Sequence, residues 1–310
     1  MWLQRFTNYL LDHRWQTIAL AFVITFIPII GIVGILIAAF MTLRKSIAEG
    51  AVLTVAATLP YVISFFVAGH EAASPEIVVW AAVSVAVFSN ILTWVFAVML
   101  RRKASWSTIL QLGALTGVLV VSVIHLVFPD IADWWASQLQ SYYAEAQAMT
   151  AGILKAPVSP GDTQLESINI TKQYASGLIV AGILFNGILQ LIIARWWQAV
   201  LYAPGSMRRE LQSIRLSSLA GVLFIVSLVL SYLGNSVVLD IMPILYILFG
   251  AAGLSLIHYL FRLMSASSRW FWILLLYVTL VISLPTSMIF IAVLALADIW
   301  LDMRKRVSKV

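Results

Sequence analysis

Apolar residues gather along this chain in eight long runs, 17–43, 47–68, 76–100, 106–128, 174–201, 215–234, 241–261 and 270–300, parted by short polar joints. A helix needs about 20 residues to cross some 30 Å of hydrocarbon, and six of the eight runs have that length. Only helices and closed barrels satisfy every backbone group in lipid, and runs without strict alternation are helical. The pattern predicts an all-α, polytopic integral membrane helix bundle, a single transmembrane domain over residues 1–310. Trp80, Trp106, Trp196, Trp197, Trp270, Trp272 and Trp300 fall near run ends, where amphipathic rings favour the headgroup level. Gly113 and Gly117 form a GxxxG pair in the fourth run and predict a close helix contact.

The first and last runs are too long for one straight span, at about 40 and 46 Å of helix. Each holds a proline near its middle, Pro28 and Pro285. A break at each proline makes two short halves, which membranes accept only where the halves pack on protein or line a cavity. Eight to ten membrane passages follow, depending on whether these runs turn back or cross once as kinked helices.

The insert 129–173 is the one sizeable extramembrane piece. Trp135, Leu139, Tyr142, Ala146, Met149 and Ile153 recur there at helical spacing, predicting an amphipathic helix suited to the outer leaflet, a lid or a partner. Pro157, Pro160 and Gly161 end it.

Composition and charge give compartment and orientation. Apolar residues make up 62% of the chain and charged ones 10%, with mean hydropathy +0.99, so lipid is the solvent for much of the surface. Arg44-Lys45, Arg101-Arg102-Lys103, Arg195, Arg208-Arg209, Arg215, Arg262, Arg269 and the tail Arg304-Lys305-Arg306 with Lys309 occupy alternate joints. The other joints carry Glu71, Glu76, Asp240 and the insert. This is the positive-inside pattern of a bacterial inner-membrane protein. It places both termini in the cytoplasm only if 270–300 turns back near Pro285. The net charge of +6 reflects that bias and implies attraction to anionic lipid rather than nucleic acid. The absence of cysteine excludes disulfides, thiolate metal sites and cysteine nucleophiles.

Chemistry is sparse. Asn90 falls mid-run, and Asn186 and Gln190 lie four apart on one helical face. Amides at that depth suit either a neutral polar solute or interhelical bonding. His258 lies four residues before Arg262 at an interface and is a further candidate solute contact. No HExxH, Walker A or GxSxG pattern occurs, so no metal, cofactor or enzyme activity is expected. Asp298 and Asp302 form an i, i+4 pair beside the basic tail, with Asp302 in reach of Arg306. Pro204-Gly205 turns into a short basic helix whose Met207, Leu211 and Ile214 share a side. Its Arg208 and Arg209, with Arg215, are candidate contacts to lipid or a cytoplasmic partner.

The Pro204-Gly205 turn with Arg208, Arg209 and Arg215, the Gly250–Gly253 run before His258, Pro285, and the close at Asp298, Asp302 and Arg304 together resemble the YybS-like bacterial membrane proteins, a family without an assigned function. Pro28 with Gly31 and Gly34, then Glu49-Gly50, fit the same pattern more loosely. That family is similar to the membrane-embedded substrate-binding components of energy-coupling-factor vitamin transporters. The resemblance implies a small-solute-binding or permease component served by separate ATPase subunits. Those components often carry an AxxxA pair in their first helix, and 17–43 has Ala19, Ala21, Ala38 and Ala39 without that spacing. The opposing expectation is a non-transporting envelope scaffold that recruits assembly proteins through the insert and Arg208–Arg215.

Overall fold

The computed structural model describes residues 2–27, 29–68, 76–154 and 162–307, and among them every regular element is a helix. In chain order they are α1 (Trp2–Asp12), α2 (Arg14–Thr25), α3 (Ile32–Arg44), α4 (Ile47–Ala68), α5 (Glu76–Arg101), α6 (Trp106–Val127), α7 (Ile131–Leu154) and α8 (Asp162–Thr171). Then follow α9 (Ala175–Tyr202), α10 (Ser206–Leu211), α11 (Ser218–Tyr232), α12 (Ser236–Arg262), α13 (Ala266–Ile282), α14 (Leu284–Leu301) and α15 (Met303–Val307). Among the described residues, α4, α5, α6, α9, α12 and α14 are long and apolar enough to cross a membrane. Polar caps start the helices where the joints end. Ser105, Ser217, Asn235 and Ser265 accept the backbone N–H three residues on, satisfying a donor that the first turn leaves open.

The centre of the bundle is α5, α6, α9 and α12, whose Phe96, Ile109, Leu191, Ile244 and Phe249 are fully buried or nearly so. The predicted GxxxG contact is present: a Cβ added to Gly113 or Gly117 would lie 3.2 or 3.1 Å from Leu184 of α9, closer than ordinary van der Waals contact. A second core joins α1 to α4 with Phe40 stacked on Trp197 of α9, ring centroids 4.8 Å apart. Outward faces stay apolar, as at Val222, Val226 and Val229 of α11 and Ile289, Phe290 and Val293 of α14. Such continuous exposed apolar surface matches a lipid-facing belt.

Direct bonds tie the basic joints together at one end of the molecule. Lys45 Nζ donates to Leu11 O at 3.0 Å, and Arg101 donates to Thr42 O and Lys45 O. Arg195 and Trp106 both meet Glu210, while Arg304 reaches Gln212 O and Ile214 O. Both described chain ends therefore lie at this basic end. The tips of α6, α9 and α12 gather at the opposite end, where α7 begins.

Each terminal run folds into a helical hairpin. The Lys45–Leu11 bond places the end of α3 beside the start of α2, so the first run turns back on itself; Pro28 itself falls outside the described residues. A Cβ on Gly34 would overlap the Thr25 hydroxyl and lie 2.8 Å from Ala21 O, so the small residue permits the close approach of α2 and α3. The same added Cβ would lie 3.2 Å from Ala57, yet α4 runs eleven residues further, about 16 Å. The turn thus stops well short of the end of α4. At the other terminus, Ser283 breaks the run and Pro285 lies in the first turn of α14, where its missing N–H costs nothing. Gly250 and Gly253 of α12 meet Met288 and Ile291 of α14, so these two helices run parallel. α14 begins only four residues before Met288, whereas α12 begins fourteen before Gly250. This second turn stops about 15 Å short of the start of α12. Both turns are apolar and exposed, Ile29 at 96% and Val281 at 85%.

Candidate functional site

The amides in the runs meet in a polar belt across α4, α5 and α9. Asn90 Nδ2 donates to Thr58 Oγ1 at 3.2 Å. One turn further on α5, Thr93 Oγ1 donates to Gln190 Oε1 at 2.5 Å, and Gln190 Nε2 donates to Asn186 Oδ1 at 3.3 Å. Ser89 reaches Ile183 O of α9 at 3.3 Å. Asn90 and Gln190 are buried, Asn186 partly so. Here the groups bond one another, which fixes three helices and leaves the second oxygen lone pairs of the amides as acceptors. The fourth candidate, His258, is not part of this belt. Its Nδ1 pairs with Leu254 O and its Nε2 lies 3.4 Å from Tyr277 Oη, near the basic end of α12.

A second polar cluster, which sequence reasoning missed, joins α6, α9 and α12 at the opposite end. Asp240 is 2% exposed; one carboxylate oxygen accepts the Gly177 N–H at 2.6 Å and the other lies 2.9 Å from His125 Nε2. Asp240 reads as a joint residue in sequence because the apolar run resumes after it, but α12 already starts at Ser236. Next to Gly177, Ser176 accepts the indole N–H of Trp135, which attaches α7 to the bundle. The face of α7 that is covered runs through Trp135, Leu139, Tyr143 and Ala146, with Tyr142 turned outward. Met149, Ile153 and the break at Pro157, Pro160 and Gly161 lie outside what is described of the side chains and chain. Beyond Trp135, α7 is held by Lys172–Asp133 and Gln147–Gln164, both within the insert.

At the basic end, Arg208 and Arg209 of α10 are exposed, while Met207 and Ile214 are buried beneath them as their shared side predicts. Arg215 behaves differently. It donates to Asp298 O and Ile299 O and pairs with Asp302 at 3.1 Å, stapling the α10–α11 joint to α14. Asp302 pairs with Arg215 and Lys305 rather than with Arg306, and Asp298 takes Arg304 at 3.2 Å. The left-handed turn at Asp302 redirects the chain after α14 and sets that choice. Nearby, burial alone would raise the Glu210 carboxyl, but hydrogen bonds from Arg195 and Trp106 outweigh it and hold its pKa below the ordinary value.

Among the described residues, no group of three or more His, Asp or Glu side chains is placed to hold a metal ion. Comparison with protein-family models, curated proteins and solved structures finds no match.

Proposed function

We propose that the chain is a solute-binding or permease-like component of a bacterial cytoplasmic membrane, with its basic end in the cytoplasm and no ATPase of its own. In this reading α4, α5, α6, α9, α11 and α12 cross the membrane. The α2–α3 and α13–α14 hairpins enter from the cytoplasm and turn back within the bilayer, leaving both termini inside. The observation that carries the reading is the pair of apolar-tipped hairpins packed on the bundle. Broken helices at membrane depth are tolerated against protein or a cavity, and are a recurrent way to build a midplane solute site. The resemblance to YybS-like proteins supports the same class.

Asn90, Asn186 and Gln190 are the groups we assign to a neutral polar solute, which would exchange with their mutual bonds as the helices part. The test is thermal unfolding of the detergent-solubilised protein across a panel of small polar solutes. One solute should raise the midpoint of the wild type, and Asn186→Leu with Gln190→Leu should abolish that shift while leaving the fold intact. A second reading has its own support: α7 is bonded to the bundle through Trp135 and Ser176 and exposes Trp134 and Tyr142, as a docking arm would. A scaffold predicts no solute response and loss of a co-purifying envelope protein on deletion of 133–155. A co-purifying ATPase pair favours the permease.

A further inference from the structure

A cavity of about 450 Å³ opens at the basic end, between the ends of α3, α5 and α9, the start of α6, and α10. Arg101, Lys103 and Arg195 line it with Glu210 as the one carboxylate, together with Ser105 and Ser213, whose hydroxyls are engaged by Thr108 and by Glu210 O. The charges are not equally free. Arg195 spends its guanidinium on Glu210 and Gln198. Arg101 donates to two carbonyls at the end of α3, which are neutral partners, and has no carboxylate partner among the described residues. The Lys103 backbone N–H is bonded to Leu100 O, but its ammonium has neither a hydrogen bond nor an ion pair with the described residues, and the residue is exposed.

Lys103 has φ +66° and ends α5 in the left-handed region, a position that glycine fills without steric cost and other residues do not. Lysine at this position places an unpaired ammonium on a polar cavity at a conformational expense. The N-terminal end of the α6 dipole, capped by Ser105, adds positive potential on the same wall. An electropositive cavity with a free ammonium beside a second cation and a helix start is suited to a phosphate group.

We propose that this cavity binds a phosphate group, carried either by an anionic phospholipid of the adjoining leaflet or by a soluble phosphate compound. Lys103 makes the direct charged contact, and Arg101 holds the potential while bracing α3. The two sources differ in reach. A lipid phosphate enters from the headgroup level at the side of the bundle, and a soluble one from the aqueous mouth beside Ser213.

The experiment uses the full-length protein, wild type and Lys103→Gly. Glycine suits the local backbone, so the variant keeps or gains thermal stability and lost binding cannot be assigned to misfolding. Arg306→Gln, an exposed cation of the same basic end outside the cavity, is the charge control. One arm counts phosphatidylglycerol and phosphatidylcholine retained by delipidated protein in native mass spectrometry. The other follows the unfolding midpoint during titration with inorganic phosphate at low salt. A lipid site predicts phosphatidylglycerol binding about tenfold or more weaker in Lys103→Gly, near-wild-type binding in Arg306→Gln, and no phosphate shift. A soluble-phosphate site predicts a midpoint shift lost in Lys103→Gly alone. Equal binding of both probes by wild type and Lys103→Gly, or equal losses in Lys103→Gly and Arg306→Gln, would overturn the proposal.

Discussion

At the scale of residues, the buried Asp240 is the most consequential polar group, because its two oxygens hold a backbone N–H of α9 and the imidazole of α6. Truncating its partner strands a buried carboxylate, which typically costs about 3–5 kcal/mol. His125→Ala should lower unfolding stability in detergent on that scale. Asp240→Asn combined with His125→Gln should cost less than the sum of the two single changes, because the pair acts as a unit. Additive losses would show that the two side chains are not coupled. Glu210 gives the pH signature. Its depressed pKa means that ionisation stabilises the folded state above the ordinary glutamate value near 4.3 and that this contribution is lost as pH falls through the lower folded value. Unfolding midpoints should therefore drop on acidification below about pH 4.3, with a shallower drop in Glu210→Gln. The i, i+4 spacing made Asn186 and Gln190 legible from sequence, since a helix alone puts them on one face. Asp240 and His125 lie 115 residues apart in sequence, and only the packing of α6 on α12 brings them together.

Elements show why some breaks were readable and others not. Pro60 and Pro243 lie inside the continuous helices α4 and α12, whereas Pro285 falls just after a break at Ser283. Proline alone therefore does not mark the turn; the excess length of the run does, because about 46 Å of helix exceeds the membrane core. The covered stripe of α7 was legible to within a residue, passing through Tyr143 instead of Tyr142 as a 3.6-residue period drifts around the axis. Glycine positions test the parallel packing of α14 on α12. A Cβ on Gly253 would overlap the Ile291 carbonyl, which belongs to the backbone and has little room to yield. Gly253→Ala should destabilise the protein by about 1–3 kcal/mol, the usual range for overpacking. Gly182→Ala, with nothing within 4 Å of its added methyl, should be neutral or stabilising by up to about 1 kcal/mol. The reverse order in thermal unfolding would contradict the α12–α14 contact.

For the whole molecule, an all-helical bundle with long apolar helices was legible because its pattern follows from the thickness of a bilayer, and six such helices are present among the described residues; the basic joints, spaced along the sequence, meet at one end. The contents of the polar belt were legible as residue types, not as a network. How far each terminal hairpin reaches was not legible, since depth is set by which turn of α4 or α12 a small residue meets. In the proposed reading, two hairpins entering from the basic end reconcile the charge pattern with runs too long for one span and too short for two. The chain has no cysteine, so a single substitution is a unique probe. The decisive measurement is labelling by a membrane-impermeant maleimide in right-side-out and inverted vesicles, with Ile29→Cys and Leu284→Cys at the hairpin turns. Asn8→Cys and Gln140→Cys serve as references for the two ends. The account predicts that Asn8→Cys labels only in inverted vesicles and Gln140→Cys only in right-side-out ones. Both turn positions should stay unlabelled from either side until detergent is added. Labelling of Ile29→Cys or Leu284→Cys in right-side-out vesicles at the rate of Gln140→Cys would place the turns outside the membrane and contradict the account.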